Sequence, residues 1–392
     1  MKNNYLILAF LLLFASANSQ IINIPDANFK AKLLSTNTTS NIVAFDHDGI
    51  VLIIDANQNG EIEISEAQEV DYLAVYESDI SSLEGIQYFT NMSLLSCSNN
   101  NLTALNLAGL TSLKHLTCSF NQISSLDLSG LSNLEYLDCS ENQLLSLNVA
   151  GCASLEKISC QVNQLSVLDL SSSTPLLEVD CSNNLLTSLT LGALPSLQIL
   201  RCVQNNLPAL NVSACPNIVL IYCENNQIAS LDLSGLIHLK FVWANNNLLT
   251  SLNISGMTAL QDLRCFDNQL TSLDASGLTN LTNLICYSNQ LSSLNLNGVT
   301  DLFNFDCSSN QLQSLDLSGL SQAVFFSCGN NQLETLDVSG IYVGMLVCHN
   351  NNLTSLFIKN GSNEGNGLDF IGNPNLQYIC ADDSQLAEVQ AQ

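Results

Sequence analysis

Apolar residues recur along most of this chain in a pattern that repeats every 21 residues. One copy runs from Leu113 to Gly130 and reads Leu-Lys-His-Leu-Thr-Cys-Ser-Phe-Asn-Gln-Ile-Ser-Ser-Leu-Asp-Leu-Ser-Gly. Leu116 and Cys118 predict a short strand that directs both side chains inward, and equivalent strands should stack as a parallel sheet. The apolar residues of the following turn, Ile123 among them, should pack against neighbouring copies. Because one copy cannot bury its apolar face alone, the pattern predicts a solenoid of about thirteen copies over residues 92–360.

The cysteines follow the same period. Fifteen cysteines would ordinarily indicate a disulfide framework, but twelve of them occupy one fixed position of the repeat, and Ala244 takes that position in one copy. Neighbouring thiols would lie about 4.8 Å apart with parallel side chains, a poor geometry for bridging, so we expect free, buried thiols. No Cys-x-x-Cys motif supports a zinc site, and Cys152 and Cys215 should pack as small apolar side chains. The series is termed the cysteine ladder: Cys97, Cys118, Cys139, Cys160, Cys181, Cys202, Cys223, Cys265, Cys286, Cys307, Cys328 and Cys348.

Asparagine forms a second regular series, three residues after each position of the cysteine ladder. Each amide should hydrogen-bond backbone groups that are freed where the strand turns, since buried polar groups must be paired. A further series, from Asn106 to Asp337, alternates mostly between aspartate and asparagine and predicts either a solvated turn edge or an incidental cation-binding surface. The first series is termed the asparagine ladder: Asn100, Asn121, Asn142, Asn163, Asn184, Asn205, Asn226, Asn247, Asn268, Asn289, Asn310, Asn331 and Asn351.

With cysteine in place of the usual third leucine, the pattern LxxLxCxxNxLxxLxLxG resembles the leucine-rich repeat family. The short repeat is similar to that of bacterial internalin-like arrays, and the resemblance covers roughly residues 70–380. It implies a curved α/β solenoid with a parallel β-sheet on the concave face, a convex side of β-turns and irregular backbone, and a small helical N-terminal cap.

The two ends depart from the repeat. Lys2, the apolar run Tyr5–Phe14 and the small residues that follow form the pattern of a signal peptide over residues 1–19. We therefore expect an exported protein, secreted or at the cell surface, with no membrane insertion. Residues 20–91 should form an N-terminal cap with a helix near Asp26–Leu34, and residues 361–392 a C-terminal cap. Many exported proteins that the chain resembles carry a further C-terminal anchoring domain, and the sequence leaves open whether one is missing.

The N-terminal cap contains a twelve-residue segment with the spacing of an EF-hand calcium loop. A glycine at its sixth position permits the sharp turn, and the two neutral asparagine ligands favour a weak, structural calcium site that stiffens the junction to the first repeat. The alternative is an Asp/Asn-rich turn that binds no metal. The predicted metal ligands are Asp55, Asn57, Asn59, Glu61 through its backbone carbonyl, and Glu66.

Charge excludes several classes of partner. The chain has 35 acidic and 9 basic residues, a formal net charge of −26, and no Lys/Arg cluster that could neutralise phosphates. Nucleic acids and anionic membranes are therefore poor partners. The four histidines are scattered over distant repeats, and no nucleophile, phosphate-loop or zinc motif is present. We expect a non-catalytic, monomeric protein.

The outward positions of the predicted strands change character in the middle of the array. Early copies display polar residues, whereas the copies between residues 199 and 287 display aromatics, the only tryptophan and both arginines. This clustering predicts a site centred on Trp243 for a protein or a glycan, since Trp, Tyr and Arg dominate binding energy at interfaces. The preference of aromatics for strands is the competing explanation, and a structural or adhesive spacer is the competing function. The predicted binding residues are Arg201, Tyr222, Phe241, Trp243, Arg264, Phe266 and Tyr287.

Overall fold

The computed structural model describes residues 20–37, 42–362 and 367–390. The predicted signal peptide at residues 1–19 lies outside these ranges. The chain divides between Leu194 and Pro195 into two compact units, which are described in turn.

The first unit begins with a small helical cap. Helix α1, Ala27–Leu34, is preceded by Asp26, whose carboxylate accepts a hydrogen bond from the Phe29 backbone N–H at 2.9 Å. This capping bond fixes the helix start, and the helix buries Phe29 and Leu33. Helix α2, Ile64–Ala67, and a 3-10 turn at Ile86–Tyr88 complete the cap. Within the described ranges, no helix has the length and apolar content needed to cross a membrane.

Short strands dominate the rest of the first unit. In the main sheet, β1 pairs antiparallel with β2, and every later pair is parallel and in register. The strands β7 and β9 form a separate parallel pair on the far side of the coil. The strands are β1 Ala44–Phe45, β2 Tyr72–Ala74, β3 Leu94–Ser96, β4 His115–Thr117, β5 Tyr136–Asp138, β6 Lys157–Ser159, β7 Val167–Asp169, β8 Glu178–Asp180 and β9 Ser188–Thr190.

The second unit continues the same alternation. Its main-sheet strands are β10 Ile199–Arg201, β11 Leu220–Tyr222, β13 Phe241–Trp243, β15 Asp262–Arg264, β17 Asn283–Ile285, β19 Asp301–Asp306, β20 Gln322–Ser327, β22 Met345–Val347 and β24 Leu368–Asp369. Small parallel sheets on the far side pair β12 Ser230–Asp232 with β14 Ser251–Asn253, β16 Ser272–Asp274 with β18 Ser293–Asn295, and β23 Ser355–Phe357 with both β21 Thr335–Asp337 and β25 Tyr378–Cys380. Helix α3, Leu386–Val389, follows.

The fold is the predicted parallel-strand solenoid with little helix. Parallel pairing also extends into the predicted caps, at β2 in the N-terminal cap and at β24 and β25 in the C-terminal cap. The inward leucines of the strands and turns are almost fully buried, so each copy closes the apolar surface of its neighbours.

The asparagine ladder has the predicted structural role. The Asn121 amide nitrogen donates to the carbonyl of Cys97 in the preceding copy and to that of Cys118 in its own copy, both at 3.1 Å. Its Oδ1 accepts from the Leu102 backbone N–H at 2.9 Å. The same bonds recur along the ladder, for example at Asn289. Each amide therefore satisfies backbone groups of two neighbouring copies at once.

The cysteine ladder lies in the interior. All fifteen cysteines are free thiols, fourteen of them buried and Cys380 partly exposed. Burial raises the pKa of Cys97 and of Cys265 to about 12. At neutral pH these thiols are un-ionised apolar fillers rather than nucleophiles.

Candidate partner-binding surface

The outward side chains of the main-sheet strands form a surface that we term the sheet face. In the second unit, in-register pairing places Arg201 opposite Tyr222, Tyr222 opposite Trp243, and Trp243 opposite Arg264. These four residues form one line across four strands, which we term the arginine–aromatic column. A spacing of 21 residues in the sequence thus becomes a spacing of about 4.8 Å in space.

Stacking holds the centre of the column together. The Tyr222 and Trp243 rings have centroids 4.2 Å apart and planes 17° apart. The Arg264 guanidinium carbon lies 4.1 Å from the centroid of the Trp243 ring. Because Tyr222 precedes Trp243 in the sheet and Arg264 follows it, both faces of the tryptophan ring are covered. The column therefore presents ring edges and guanidinium N–H groups outward.

Arg264 is fixed in place by a second contact. Its Nε and Nη2 donate to the two carboxylate oxygens of Asp262 at 3.0 and 3.1 Å. Both residues belong to β15 and lie two positions apart, so they share the sheet face. The Asp262 side chain is only 8% exposed, whereas that of Arg264 is 38% exposed. The buried carboxylate thus anchors one edge of the guanidinium and leaves its remaining N–H groups on the accessible side.

The other predicted binding residues fall in neighbouring lines. Phe266 and Tyr287 stack with centroids 4.5 Å apart and planes 12° apart. Phe241 lies opposite Leu220 on one side and Asp262 on the other. The structure thus assembles the predicted residues into three adjacent lines on one surface.

Two polar atoms near the column are buried without a hydrogen-bond partner among the described residues: Trp243 Nε1 and Glu224 Oε2. Burial raises the pKa of Glu224, against the lowering effects of a backbone hydrogen bond and the Arg264 charge. Burial also raises the pKa of Tyr222, with Arg201 opposing the shift. Buried polar atoms without partners are uncommon in native structures, but the described part of the first unit also holds two, on Gln161 and Ser173, so they do not by themselves distinguish this surface.

Apolar surface also continues further along the second unit than the sequence predicted. Phe303, Phe325 and Met345 are 51%, 46% and 40% exposed. Phe303 meets Phe325 edge-on, with centroids 5.3 Å apart. A shallow depression of about 170 Å³ is lined by Ile285, Phe325 and Met345, among others. The signal that was missed is the longer strands β19 and β20, whose six residues each widen the sheet.

In the N-terminal cap, two amide side chains of the predicted calcium loop turn toward the Glu63 carboxylate. The amide nitrogens of Asn57 and Asn59 donate to the two Glu63 carboxylate oxygens at 3.1 and 2.7 Å. The Asp55 carboxylate accepts the backbone N–H groups of Asn59 and Gly60 at 3.1 and 3.0 Å. Glu63 stands at the ninth loop position and was not among the predicted ligands.

The two carboxylates at the end of the loop are linked. Glu66 accepts hydrogen bonds from the backbone N–H groups of Ala56 at 2.9 Å and Glu63 at 3.0 Å. The Glu61 carboxylate forms an ion pair with Lys30 at 2.6 Å. Burial, and then a side-chain hydrogen bond with the Glu63 carboxyl group, raise the pKa of Glu66 against the lowering effect of the Glu63 backbone N–H, and the same side-chain bond lowers the pKa of Glu63. In the described ranges, no group of three or more His, Cys, Asp or Glu side chains is arranged to hold a metal ion. The amide and carbonyl oxygens of the loop are therefore essential to any cation site there.

Comparisons with known proteins agree with the solenoid. The family model Leucine Rich repeats (2 copies) matches residues 111–151. Comparison with curated protein sequences gives no match. The chain therefore contains leucine-rich repeats.

Solved structures give the wider likeness. The functional domain of InlJ from Listeria monocytogenes, which includes a cysteine ladder, aligns with a TM-score of 0.68 and 27% identity, over 90% of this chain and 75% of that one. YopM from Yersinia enterocolitica aligns with a TM-score of 0.60 and 28% identity, over 80% of this chain and 65% of that one. The internalin InlF from Listeria monocytogenes aligns with a TM-score of 0.53 and 19% identity, over 91% and 95%. The chain is thus similar in structure to internalins.

Proposed function

We propose that this chain is an exported, non-catalytic recognition protein that binds a protein or glycan partner on the sheet face around Trp243. The observation that carries the proposal is the arginine–aromatic column, where a half-buried tryptophan is held between a tyrosine and an arginine. Trp, Tyr and Arg are the residue types most enriched among those that dominate interface energies. Solenoid repeats commonly use their strand surface for binding. The signal-peptide pattern at residues 1–19 and the likeness to internalins support export, to the medium or the cell surface.

The competing function is a structural or adhesive spacer without a specific ligand. A spacer would need only a soluble, uniform surface, such as the polar outward residues of the first unit: Ser96, Thr117, Asp138, Ser159 and Asp180. The second unit departs from that uniformity with rings and arginines in register. Strand propensity explains aromatics in general, but not the register that places the two arginines on either side of Tyr222 and Trp243.

The test compares Trp243→Ala with Phe120→Ala on arrays of glycans and displayed peptides. Phe120 is 53% exposed and lies in the turn after β4, so it is a matched loss of an exposed aromatic. A central interface residue contributes about 2 kcal/mol or more, which corresponds to about 30-fold weaker binding for Trp243→Ala. The Phe120 variant should bind as the unaltered chain does. Equal binding by both variants, or no specific binding at all, would favour the spacer.

We also propose that the loop from Asp55 to Glu66 binds calcium as a structural ion. The twelve-residue spacing supports this proposal, because it places carboxylate and amide side chains at the positions from which such loops supply oxygen ligands to a hard cation. Asp55, Asn57, Asn59 and Glu66 would hold the ion together with the backbone carbonyl of Glu61. A cation would also favour the charged form of Glu66, whose pKa is raised mainly by burial and next by the side-chain hydrogen bond with Glu63.

Thermal melting with calcium and with chelator tests this loop. Millimolar calcium should raise the melting temperature, since a ligand of the folded state stabilises it by about 2.7 kcal/mol at a hundredfold excess over Kd. Glu66→Gln should abolish the shift. Glu69→Gln, a change of the same kind at an exposed residue outside the loop, should leave it intact. A melting temperature that ignores calcium in the unaltered chain would make the segment an ordinary turn.

A further inference from the structure

We propose that the site around Trp243 is built to take a carboxylate of a polypeptide, which Arg264 binds beside an apolar contact on Phe241 and Leu220. The inference rests on the proposed function, because it names the chemistry of the partner for that same surface. It chooses between the protein and glycan partners that the function leaves open.

The first argument is the state of Arg264. Asp262 holds the Nε and Nη2 edge of the guanidinium, and the Trp243 ring covers one of its faces. An arginine that is already ordered loses little side-chain entropy when it binds. The pair with Asp262 uses two of the five guanidinium N–H groups, so the Nη1 edge remains to bind a planar carboxylate.

The second argument concerns the rings. A neutral sugar binds an aromatic residue by laying its C–H groups on the ring face, but the two faces of Trp243 are covered by Tyr222 and Arg264. Phe266 and Tyr287 likewise cover each other on one face. Ring edges carry partial positive charge, so the exposed rim of the column favours carboxylate oxygens over sugar C–H groups.

The third argument is charge complementarity. The chain has a net charge of −26 and only two arginines, and both stand in this column, on either side of Tyr222 and Trp243. Elsewhere on so acidic a protein, an acidic group of a partner would be repelled. In the line beside the column, Phe241 lies opposite Asp262, the partner of Arg264, and Leu220 lies opposite Phe241, and both apolar residues are half-buried. A partner segment with an Asp or Glu next to an apolar residue therefore fits the charge and the apolar surface together.

The experiment selects peptides from a phage-displayed random library on the immobilised full chain. The selected peptides should be rich in Asp or Glu next to an apolar residue. Synthetic copies should bind Arg264→Gln at least tenfold more weakly, and changing the peptide's acidic residue to its amide should cause a similar loss. The two losses should not add when combined, because they remove the same contact. Arg264→Lys, which keeps the charge but loses the planar fork, should recover binding only in part.

Controls separate the possible failures. Lys359→Gln removes one positive charge outside the column and should leave binding unchanged, and thermal melting verifies that each variant folds. Peptides without acidic residues, equal binding to Arg264→Gln, or no selected peptide would overturn the inference. So would binding of sialic or uronic acid oligosaccharides in place of peptides, although that result would leave the proposed function standing. Binding that survives Trp243→Ala would instead overturn the proposed function itself.

Discussion

The inner and outer sides of the same strands follow opposite rules. In β11, Ile221 faces inward, as does the adjacent Cys223, and nearly every copy repeats this pairing of an aliphatic residue with cysteine. Tyr222 faces outward, and its neighbours along the sheet are an arginine and a tryptophan. An inward side chain must fit the same space between two copies, whereas an outward one meets only its neighbours and the surroundings. The inner side therefore carries the information for the fold, and the outer side carries the information for partners.

The largest expected effect tests the inner side through pH. Burial raises the pKa of thiols such as Cys97 and Cys265 from an ordinary value of 9.0 to about 12. Above pH 9 the unfolded chain loses thiol protons that the folded chain keeps, so stability falls as pH rises. At pH 10 each such thiol lowers the free energy of unfolding by about 1.4 kcal/mol. Burial raises the pKa of ten further buried thiols, so their contributions act in the same direction.

Circular dichroism melts from neutral pH to about pH 10 measure this loss, and we expect the melting temperature to fall over that range. Replacing Cys265, Cys286 and Cys307 with alanine, the residue already present at Ala244, should make the decline shallower. A melting temperature that stays constant between pH 8 and 10 would show that the ladder thiols are not held un-ionised in the interior.

A smaller effect is expected at one rung of the asparagine ladder. The Asn226 amide donates to the carbonyls of Cys202 and Cys223 at 2.9 and 3.2 Å and accepts from the Leu207 N–H at 3.0 Å. Asn226→Ala leaves these buried groups unpaired and should cost about 3–5 kcal/mol. Gln227→Ala, at the exposed neighbouring amide, should cost less than about 0.5 kcal/mol. Urea unfolding measures the free energy of unfolding of both variants. Similar losses in the two would show that the inner and outer sides do not differ in their contribution to stability.

The smallest effect concerns the turn after each strand, where the backbone repeats but the side chain varies. The residue before each ladder asparagine has a positive φ, such as 56° at Val162 and 55° at Asn183. A β-branched residue is strained there, whereas asparagine tolerates it. Val162→Asn should stabilise the chain by about 1 kcal/mol, and Asn183→Val should destabilise it by a similar amount. Thermal melting of both variants measures these changes. Melting temperatures equal to that of the unaltered chain would show that the positive-φ conformation is not strained at these positions.

The sequence predicted the features that follow directly from the 21-residue period. It predicted the strands, the buried ladders and the grouping of Tyr222, Trp243 and both arginines, because equal spacing along the chain becomes adjacency in a parallel sheet. It did not predict the bidentate pair of Asp262 with Arg264 or the covering of both Trp243 faces. Those features depend on side-chain rotamers, which a one-dimensional pattern does not contain.

The same limit applies to the cap. The spacing identified the loop from Asp55 to Glu66, but Glu63 emerged as the acceptor of two amides only from the folded geometry. Phe303 was missed because β19 is longer than the strands of most copies, and a rule drawn from those copies assigns it no outward role. Departures from the period are where a repeat pattern predicts least.

The bonding of the asparagine ladder has a consequence for how such a chain can change its length. Each amide reaches only backbone carbonyls and N–H groups, in its own copy and the one before it, as Asn268 does with the carbonyl of Ala244 where a cysteine is absent. The hydrogen bonds between copies therefore do not depend on which side chains the neighbouring copy carries. In-frame duplication or deletion of 21 codons can lengthen or shorten the array without any new kind of contact, while each added strand supplies fresh outward residues for selection to shape.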